Sequence, residues 1–406
     1  MKSYCQSNDI VSEEYIKGVL LDTLSDRKKR MRTDAIELFS EVTGFDISVS
    51  RAVMENPDER RREFMLFINK MAHIMSGELA CKRVTFPEAK RRMKKDGLHG
   101  KVRIITVGHM KQLLYDAIAV DALMPAFMAH LGEYQVSGLP KRGVAKGKHA
   151  IELWIRGKRR TYFCKLDVKK YFDSFPREKF VRWLKKRVKN ERLMYLIKKL
   201  IFSTKEGIPI GSYLSQTIAN MYLSRAYHEV MGRMHSQKGE RLVEHALFYM
   251  DDILLVGHNK RHLLKAKEQL MGYLKSKLGL TVKVTAGVQQ VGEGKKGVPI
   301  VMLGFRFRKH CTTLNKQIYR KVKNVVSAAH SLIHEKGPQA MCVGMAYALV
   351  SYKGYIDSTN TKRLAKRYRL RYIFRVARRT ISEYAKTKAE SELWQGRSST
   401  LNGPSL

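Results

Sequence analysis

ALFYMDDILLVG, residues 246–257, sets two short apolar runs on either side of Asp251 and Asp252. Runs of this length, rich in branched and aromatic residues, predict two strands joined by a tight acidic turn. Adjacent carboxylates repel, and burying them together costs more unless a cation neutralises them. An exposed Asp-Asp turn is common in proteins, but such a turn does not require apolar strands on both sides. Mg²⁺ prefers carboxylate oxygens and supplies the missing positive charge. Asp251 and Asp252 are therefore candidate catalytic and metal-binding residues.

Upstream, RTYFCKLDV (160–168) alternates and predicts another strand, with Asp167 near its end. Two-metal phosphoryl transfer needs carboxylates from separate chain segments converging on one pair of ions, and Asp167 with Asp251 and Asp252 makes such a set. A strand-end or helix-capping role for Asp167 is the plain alternative. Between them lies GIPIGSYLSQ (207–216), a glycine-rich turn leading into a helix expected from Ser212 to about Met234. Glycine lets backbone approach a ligand closely, and a helix N-terminus attracts phosphate. As a plain loop-helix junction this would mean little.

Composition narrows the partner. Among 406 residues, 78 Lys and Arg stand against 37 Asp and Glu, a formal net charge of +41, and hydrophobic residues reach 44%. Such a chain is globular and attracted to polyanions, of which nucleic acid is the natural one because phosphate neutralisation releases counterions. A ribosome-associated or membrane-surface protein, or a plain solvated basic surface, would also be basic, and charge alone does not choose. Cys5, Cys81, Cys164, Cys311 and Cys342 include no C-x-x-C pair, which argues against a zinc ribbon and fits a reducing cytoplasm. The first residues lack the apolar core of a signal peptide. No apolar run is expected to reach the length a bilayer needs, so no membrane partner is expected.

The spacing of apolar residues predicts helices from Ser12 to about Ser76, from His109 to about His130, over Arg177–Phe202 and over Lys260–Leu278. Ser137–Lys148 reads as an irregular Gly- and Lys-rich loop, VPIVMLGFRFR (298–308) as a strand, and 316–388 as basic helix broken near Gly337 and Pro338. Strands, hairpins and helices in this mixture indicate an α+β architecture.

LDVKKYFDSF, GIPIGSYLSQTIANMYL, FYMDDILLV and VMLGFRF occur in the order of reverse transcriptase motifs. From about Lys101 to about Lys388 the chain resembles that family, and specifically its prokaryotic members. The resemblance implies a right-hand polymerase of fingers, palm with antiparallel sheet, and helical thumb. Its expected parts are an N-terminal helical extension (1–80), fingers (81–160), palm (161–315, with a helical insertion at about 177–206), thumb (316–390) and a disordered tail (391–406). It implies that Asp167, Asp251 and Asp252 bind two Mg²⁺ ions, with the Val168 carbonyl completing one site. Lys101 and Arg103, in KVRIITVGHMKQLLYDAIA, would contact the incoming triphosphate, as Arg pairs bidentately with phosphate. Lys141, Arg142 and Gly143, in SGLPKRGVAKGKHA, would lie near template or nucleotide. The resemblance also implies nucleotide contact by Ile210, Gly211 and Gln216. Tyr249 and Met250 would bind template or primer, Gly304 would form a primer-grip turn, and Lys283 is a candidate proton donor to pyrophosphate. SYKGYIDSTNTKRLAKRY (351–368) resembles the duplex-holding thumb of bacterial enzymes.

Phe172 lies where reverse transcriptases hold an aromatic that excludes a ribose 2′-hydroxyl, implying selection of dNTPs. Ile210 departs from the family, which mostly carries Gln there. An apolar residue at this position resembles enzymes of diversity-generating retroelements and some defence-associated bacterial enzymes, and implies reduced fidelity. The expected activity is RNA-directed DNA polymerisation from a primer 3′-hydroxyl, with template RNA, cDNA and dNTPs as partners. A cognate non-coding or template-repeat RNA and an accessory protein are also expected. No ribonuclease H or endonuclease module is expected after the thumb. The alternatives are a template-independent, protein-primed polymerase of the abortive-infection type and a non-catalytic, maturase-like RNA-binding scaffold.

Overall fold

A computed structural model describes the chain except residues 1–3, 6–8, 96–101, 139–141, 158, 285–286, 294–297 and 401–406. Two compact units divide it: Met1–Gly147 with Arg159–Gln290, and Lys148–Lys158 with Val291–Leu406.

The first unit opens with five helices, α1 (Glu13–Ser25), α2 (Arg27–Arg30), α3 (Thr33–Thr43), α4 (Ile47–Glu55) and α5 (Arg61–Ala80). Their ends follow local chemistry. Ser12 caps α1 by accepting from Tyr15 N, with Glu13 and Glu14 beside the positive end of the helix dipole. Asp46 caps α4 through Ser48 N and Val49 N. A two-stranded hairpin follows, β1 (Lys90–Lys95) against β2 (Val102–Val107).

The next helix, α6 (Met110–His130), runs through Pro125. Its length matches the expected helix, but it is long and apolar enough to cross a bilayer, which the sequence reading did not expect of any run. Its apolar faces instead pack on α1 and α3, and on two helices further along, α9 (Glu191–Ile201) and α10 (Tyr213–Gly232). Leu114, Ile118, Ala119, Ala122, Leu123 and Ala126 are fully buried.

The helix between the sheet-forming segments, α7 (Gly143–Ile155), corrects the expected irregular loop: chain from Gly143 onward is helical. Local glycines raise the cost of helix, but Ala150, Ile151 and Ile155 recur at helical spacing and are buried. The central strand β3 (Tyr162–Val168) follows, then α8 (Arg177–Lys185) ahead of α9 and α10. β4 (His245–Tyr249) and β5 (Asp252–Gly257) form the expected acidic hairpin. The unit ends with α11 (Lys260–Tyr273), one π-helical turn at Leu274–Leu278, β6 (Val282–Val284) and β7 (Gln289–Gln290). The sheet order is β4-β5-β3-β6, with β7 also on β3, and all pairs are antiparallel.

Register assigns the two faces of this sheet. Cys164, Leu166, Val168, Ala246, Phe248, Ile253 and Leu255 enter one continuous core with α6, α9, α10 and α11. Because side chains alternate along a strand, Lys165, Asp167 and Asp252 belong to the opposite face.

In the second unit, VPIVMLGFRFR proves to be a hairpin and not one strand. β8 (Ile300–Met302) turns at Leu303 and Gly304, both at positive φ, into β9 (Phe305–Arg308), which pairs with β10 (Cys311–Leu314). Four helices follow, α12 (Lys316–Lys336), α13 (Val343–Asp357), α14 (Lys362–Arg367) and α15 (Leu370–Thr400), with the expected break at Gly337 and Pro338. The expected tail from 391 is helical as far as Thr400, and 401–406 lie outside the described residues.

Candidate active site

Asp167 and Asp252 stand directly opposite each other where β3 pairs with β5. Directly opposed residues of an antiparallel pair place their side chains on one face with Cβ atoms about 4.5–5.5 Å apart. The same row extends outward, since Tyr249 opposes Asp252 on β4 and Lys283 opposes Asp167 on β6. Tyr249, Asp252, Asp167 and Lys283 therefore cross four strands in line. Lys283, the loosest sequence match, is thus the cross-strand neighbour of an expected metal ligand, and it is exposed.

Asp251 is held by its backbone. Tyr249 and Asp252 close a two-residue turn in which Met250 has φ of 53°. Positive φ at the first central position alone is the type II′ pattern, which glycine adopts without strain and methionine does not. The Asp251 carbonyl accepts from Val168 N at 3.1 Å, which ties the turn to the end of β3. The three carboxylates thus come from two strand ends fastened together.

Like charges directly opposed destabilise a sheet, and a cation the sequence reading passed over answers them. Lys165 Nζ lies 3.2 Å from Asp252 Oδ1. Its position was legible, since Lys165 and Asp167 are two apart on a strand and share a face.

Behind the turn, segment 134–137 is bonded along β4. Phe248 N donates to Tyr134 O and Val136 N to Phe248 O, at 2.9 and 3.0 Å. Gln135 Nε2 donates to Asn220 O and Asn220 Nδ2 to Ser137 O. A Cβ built on Gly138 would meet Gln216 Oε1 at 3.7 Å and Met250 Cε at 3.9 Å. Gln216 and Met250, expected near nucleotide and primer, are therefore brought together. Arg142, expected at template or nucleotide, directs Nη1 at the carbonyls of Gly132, Glu133 and Gln135. It braces this loop. Gly143 begins α7 at positive φ.

The 207–212 segment is clamped at three points. Ile208 N donates to Phe172 O at 2.9 Å, Thr106 N donates to Ile210 O at 3.0 Å, and Ser212 Oγ donates to Asp116 Oδ2 at 2.7 Å. Ser212 also caps α10 by accepting from Ser215 N. Gly207 has φ of 58°, and a Cβ there would lie 2.1 Å from Phe172 O, so only glycine fits. Phe172 and Ile210 are half-buried and Gly211 is exposed. Tyr171 is buried and donates to Ala219 O at 2.7 Å. Burial first, then the neighbouring Tyr222 and Asp251, push its phenol well above the ordinary range.

Asp116 was also missed, hidden inside an apolar helical run. It is 5% exposed, and burial pushes its carboxyl up to about 7 against the opposing Ser212 hydrogen bond.

Arg103 lies on β2 opposite Lys94. Lys101 and Lys141 lie outside the described residues. Gly304 belongs to the second unit, where it turns β8 into β9 at φ of 87° and accepts from Asn315 N.

Among the described residues, no three His, Cys, Asp or Glu side chains form a ready-made cage for an ion. Mg²⁺ keeps several waters and is held by one or two carboxylates together with substrate phosphates. Two opposed, half-buried carboxylates on one sheet face, with a third in the adjoining turn, fit such an ion.

Residues 93–285 match the family model described as reverse transcriptase (RNA-dependent DNA polymerase). The match spans β3, the acidic hairpin and the 207–212 segment. No curated protein matches the chain in sequence. Among solved structures, the chain is similar to telomerase from Candida albicans in complex with a TWJ fragment of telomeric RNA, at 12% identity and TM-score 0.42. That alignment covers 75% of this chain and 62% of the other, so this chain spans about three fifths of that relative's length. Apo telomerase from Candida tropicalis is similar at 13% identity and TM-score 0.41, over 89% of this chain and 81% of that one. Residues 93–285 thus match a reverse transcriptase domain, and the fold is that of a right-hand polymerase.

Proposed function

We propose that this chain, with its reverse transcriptase domain at 93–285, extends a primer 3′-hydroxyl with dNTPs on an RNA template by two-metal phosphoryl transfer, in a prokaryotic retroelement or defence setting. The observation that carries the reading is the opposition of the half-buried Asp167 and Asp252 on one face of the central sheet, with Asp251 in the turn bonded to Val168. In this reading the three carboxylates, with the Val168 carbonyl, hold two Mg²⁺ ions. Bound there, the ions would lower the pKa of the primer hydroxyl and neutralise charge on the triphosphate. The chain's own residues do the positioning. Segment 207–212, clamped to Phe172, Thr106 and Asp116, supports one side of the nucleotide. The Phe172 ring stands where a 2′-hydroxyl would clash and lose its hydrogen bond. In the same reading Lys101 and Arg103 would contact the triphosphate, and Lys283 would deliver a proton to the leaving pyrophosphate.

Ile210 cannot make the amide hydrogen bond that Gln offers, so the reading includes low fidelity. Fingers, palm and thumb, work in the cytoplasm, a cognate RNA and an accessory protein belong to the same proposal, with α12–α15 as the thumb. The +41 charge supports a nucleic-acid partner.

The test is primer extension by purified protein with RNA template, Mg²⁺ and dNTPs, beside a D251N/D252N double variant. Template-dependent cDNA from the native protein alone supports the reading. Product without template marks the template-independent alternative, and equal product from the variant overturns the carboxylate assignment.

A further inference from the structure

Lys165 is placed on the carboxylate face by the strand it occupies. Its neighbours Cys164 and Leu166 are fully buried in the core on the other face, so the alternation of β3 leaves the ammonium no choice of side. There it reaches diagonally to Asp252, 3.2 Å from Oδ1, with side chains 27% and 39% exposed. Asp252 is also the residue that opposes Asp167. Lys165 therefore meets a carboxylate whose cross-strand partner carries the same charge. A fixed cation at that point relieves the repulsion without any bound ion. A metal ion and this ammonium compete for one oxygen.

We propose that Lys165 is a built-in competitor for the metal at Asp252, holding the carboxylate pair together in the metal-free protein and keeping its intrinsic metal affinity low. This rests on the reading of Asp252 as a metal ligand. The consequence is coupling between ion and substrate. Mg²⁺ is normally retained by few carboxylates plus the phosphates of a nucleotide. With Lys165 on Asp252, an ion is held weakly until triphosphate oxygens join its coordination. Lys165 is then released toward the same negatively charged groups. A basic residue here thus acts as a positioning residue for the carboxylates and a threshold for metal loading.

The experiment uses full-length protein without nucleotide or nucleic acid and Mn²⁺ as the probe, with free Mn²⁺ counted by electron paramagnetic resonance. Wild type, K165M, K165R and D252N are compared, and metal-free and Mn²⁺-loaded melting temperatures are recorded for each. K165M is expected to bind Mn²⁺ about two- to fivefold more tightly, the range a half-exposed ion pair is worth. It should melt lower than wild type without metal and gain more from Mn²⁺, since the stabilisation from a bound ligand rises with the logarithm of its affinity. K165R should keep wild-type affinity. If K165M binds no more tightly than wild type while D252N loses Mn²⁺, the competitor role is overturned and the metal reading stands. If D252N binds Mn²⁺ as wild type does, the assignment of Asp252 fails and the inference fails with it. Should K165M not fold, K165Q carries the same comparison.

Discussion

Replacing Asp116 by Asn should stabilise the first unit, and more so the higher the pH. Asp116 lies on α6 at 5% exposure with Ser212 Oγ donating to Oδ2. It borders a cavity of about 890 Å³ whose other ionisable lining groups are Glu14, Tyr15, Asp22, Lys29, Arg32, Asp121 and Tyr213. Burial raises its carboxyl from the ordinary 3.8 to about 7. A carboxyl raised on folding binds its proton more tightly folded than unfolded. Its contribution is present below the unfolded pKa and is lost as pH rises through the folded one. The gap between 3.8 and about 7, at about 1.4 kcal/mol per pH unit, is worth about 4 kcal/mol in all. Most of it, about 3 kcal/mol, is lost between pH 5 and pH 8. An Asn side chain still accepts from Ser212, so the cap on α10 survives, and it has no charge to desolvate. Urea unfolding of wild type and D116N at pH 5, 6, 7 and 8 measures this. The charge-related advantage of D116N should be about 1 to 2 kcal/mol at pH 5 and grow by about 3 kcal/mol by pH 8. A constant offset across that range would refute the reasoning, because it would mean that Asp116 ionises without a burial penalty.

Phe172→Ala should raise incorporation of NTPs relative to dNTPs by about ten- to a hundredfold in primer extension with RNA template; an unchanged ratio would mean the ring is ordinary packing. Gly207→Ala should cost upwards of about 2 kcal/mol and lower the melting temperature, since the added methyl meets Phe172 O at 2.1 Å and φ is 58°. A neutral result would place the segment differently. Ile210→Gln should lower the error rate read by sequencing cDNA, and an unchanged spectrum would remove Ile210 from the fidelity argument.

Much of this was legible along the chain. The strand ending in Asp167, the Met250–Asp251 turn between apolar runs, and the helix beginning after Ser212 are local patterns of alternation, turn chemistry and capping. The order of those motifs led to a reverse transcriptase domain, which the family match over 93–285 agrees with. Where local cues pointed the wrong way, packing overrode them. Glycines in 143–148 suggested loop, yet the buried Ala150, Ile151 and Ile155 draw that segment into α7. The run 298–308 lacks a visible break, but Leu303 and Gly304 reverse it at positive φ.

The composition and the one-dimensional pattern of the chain were enough for a basic, nucleic-acid-directed α+β protein with three candidate metal carboxylates. They could not show that Asp252 opposes Asp167, that Lys165 reaches Asp252, that Gln135 and Asn220 weld a distant loop behind the acidic turn, or that Asp116 sits beneath Ser212. Each of these joins residues some 85 to 96 positions apart. Periodicity reports which side of its own strand or helix a residue occupies. Which strand lies beside it, and in what register, is settled only when buried faces from the whole chain pack into one core.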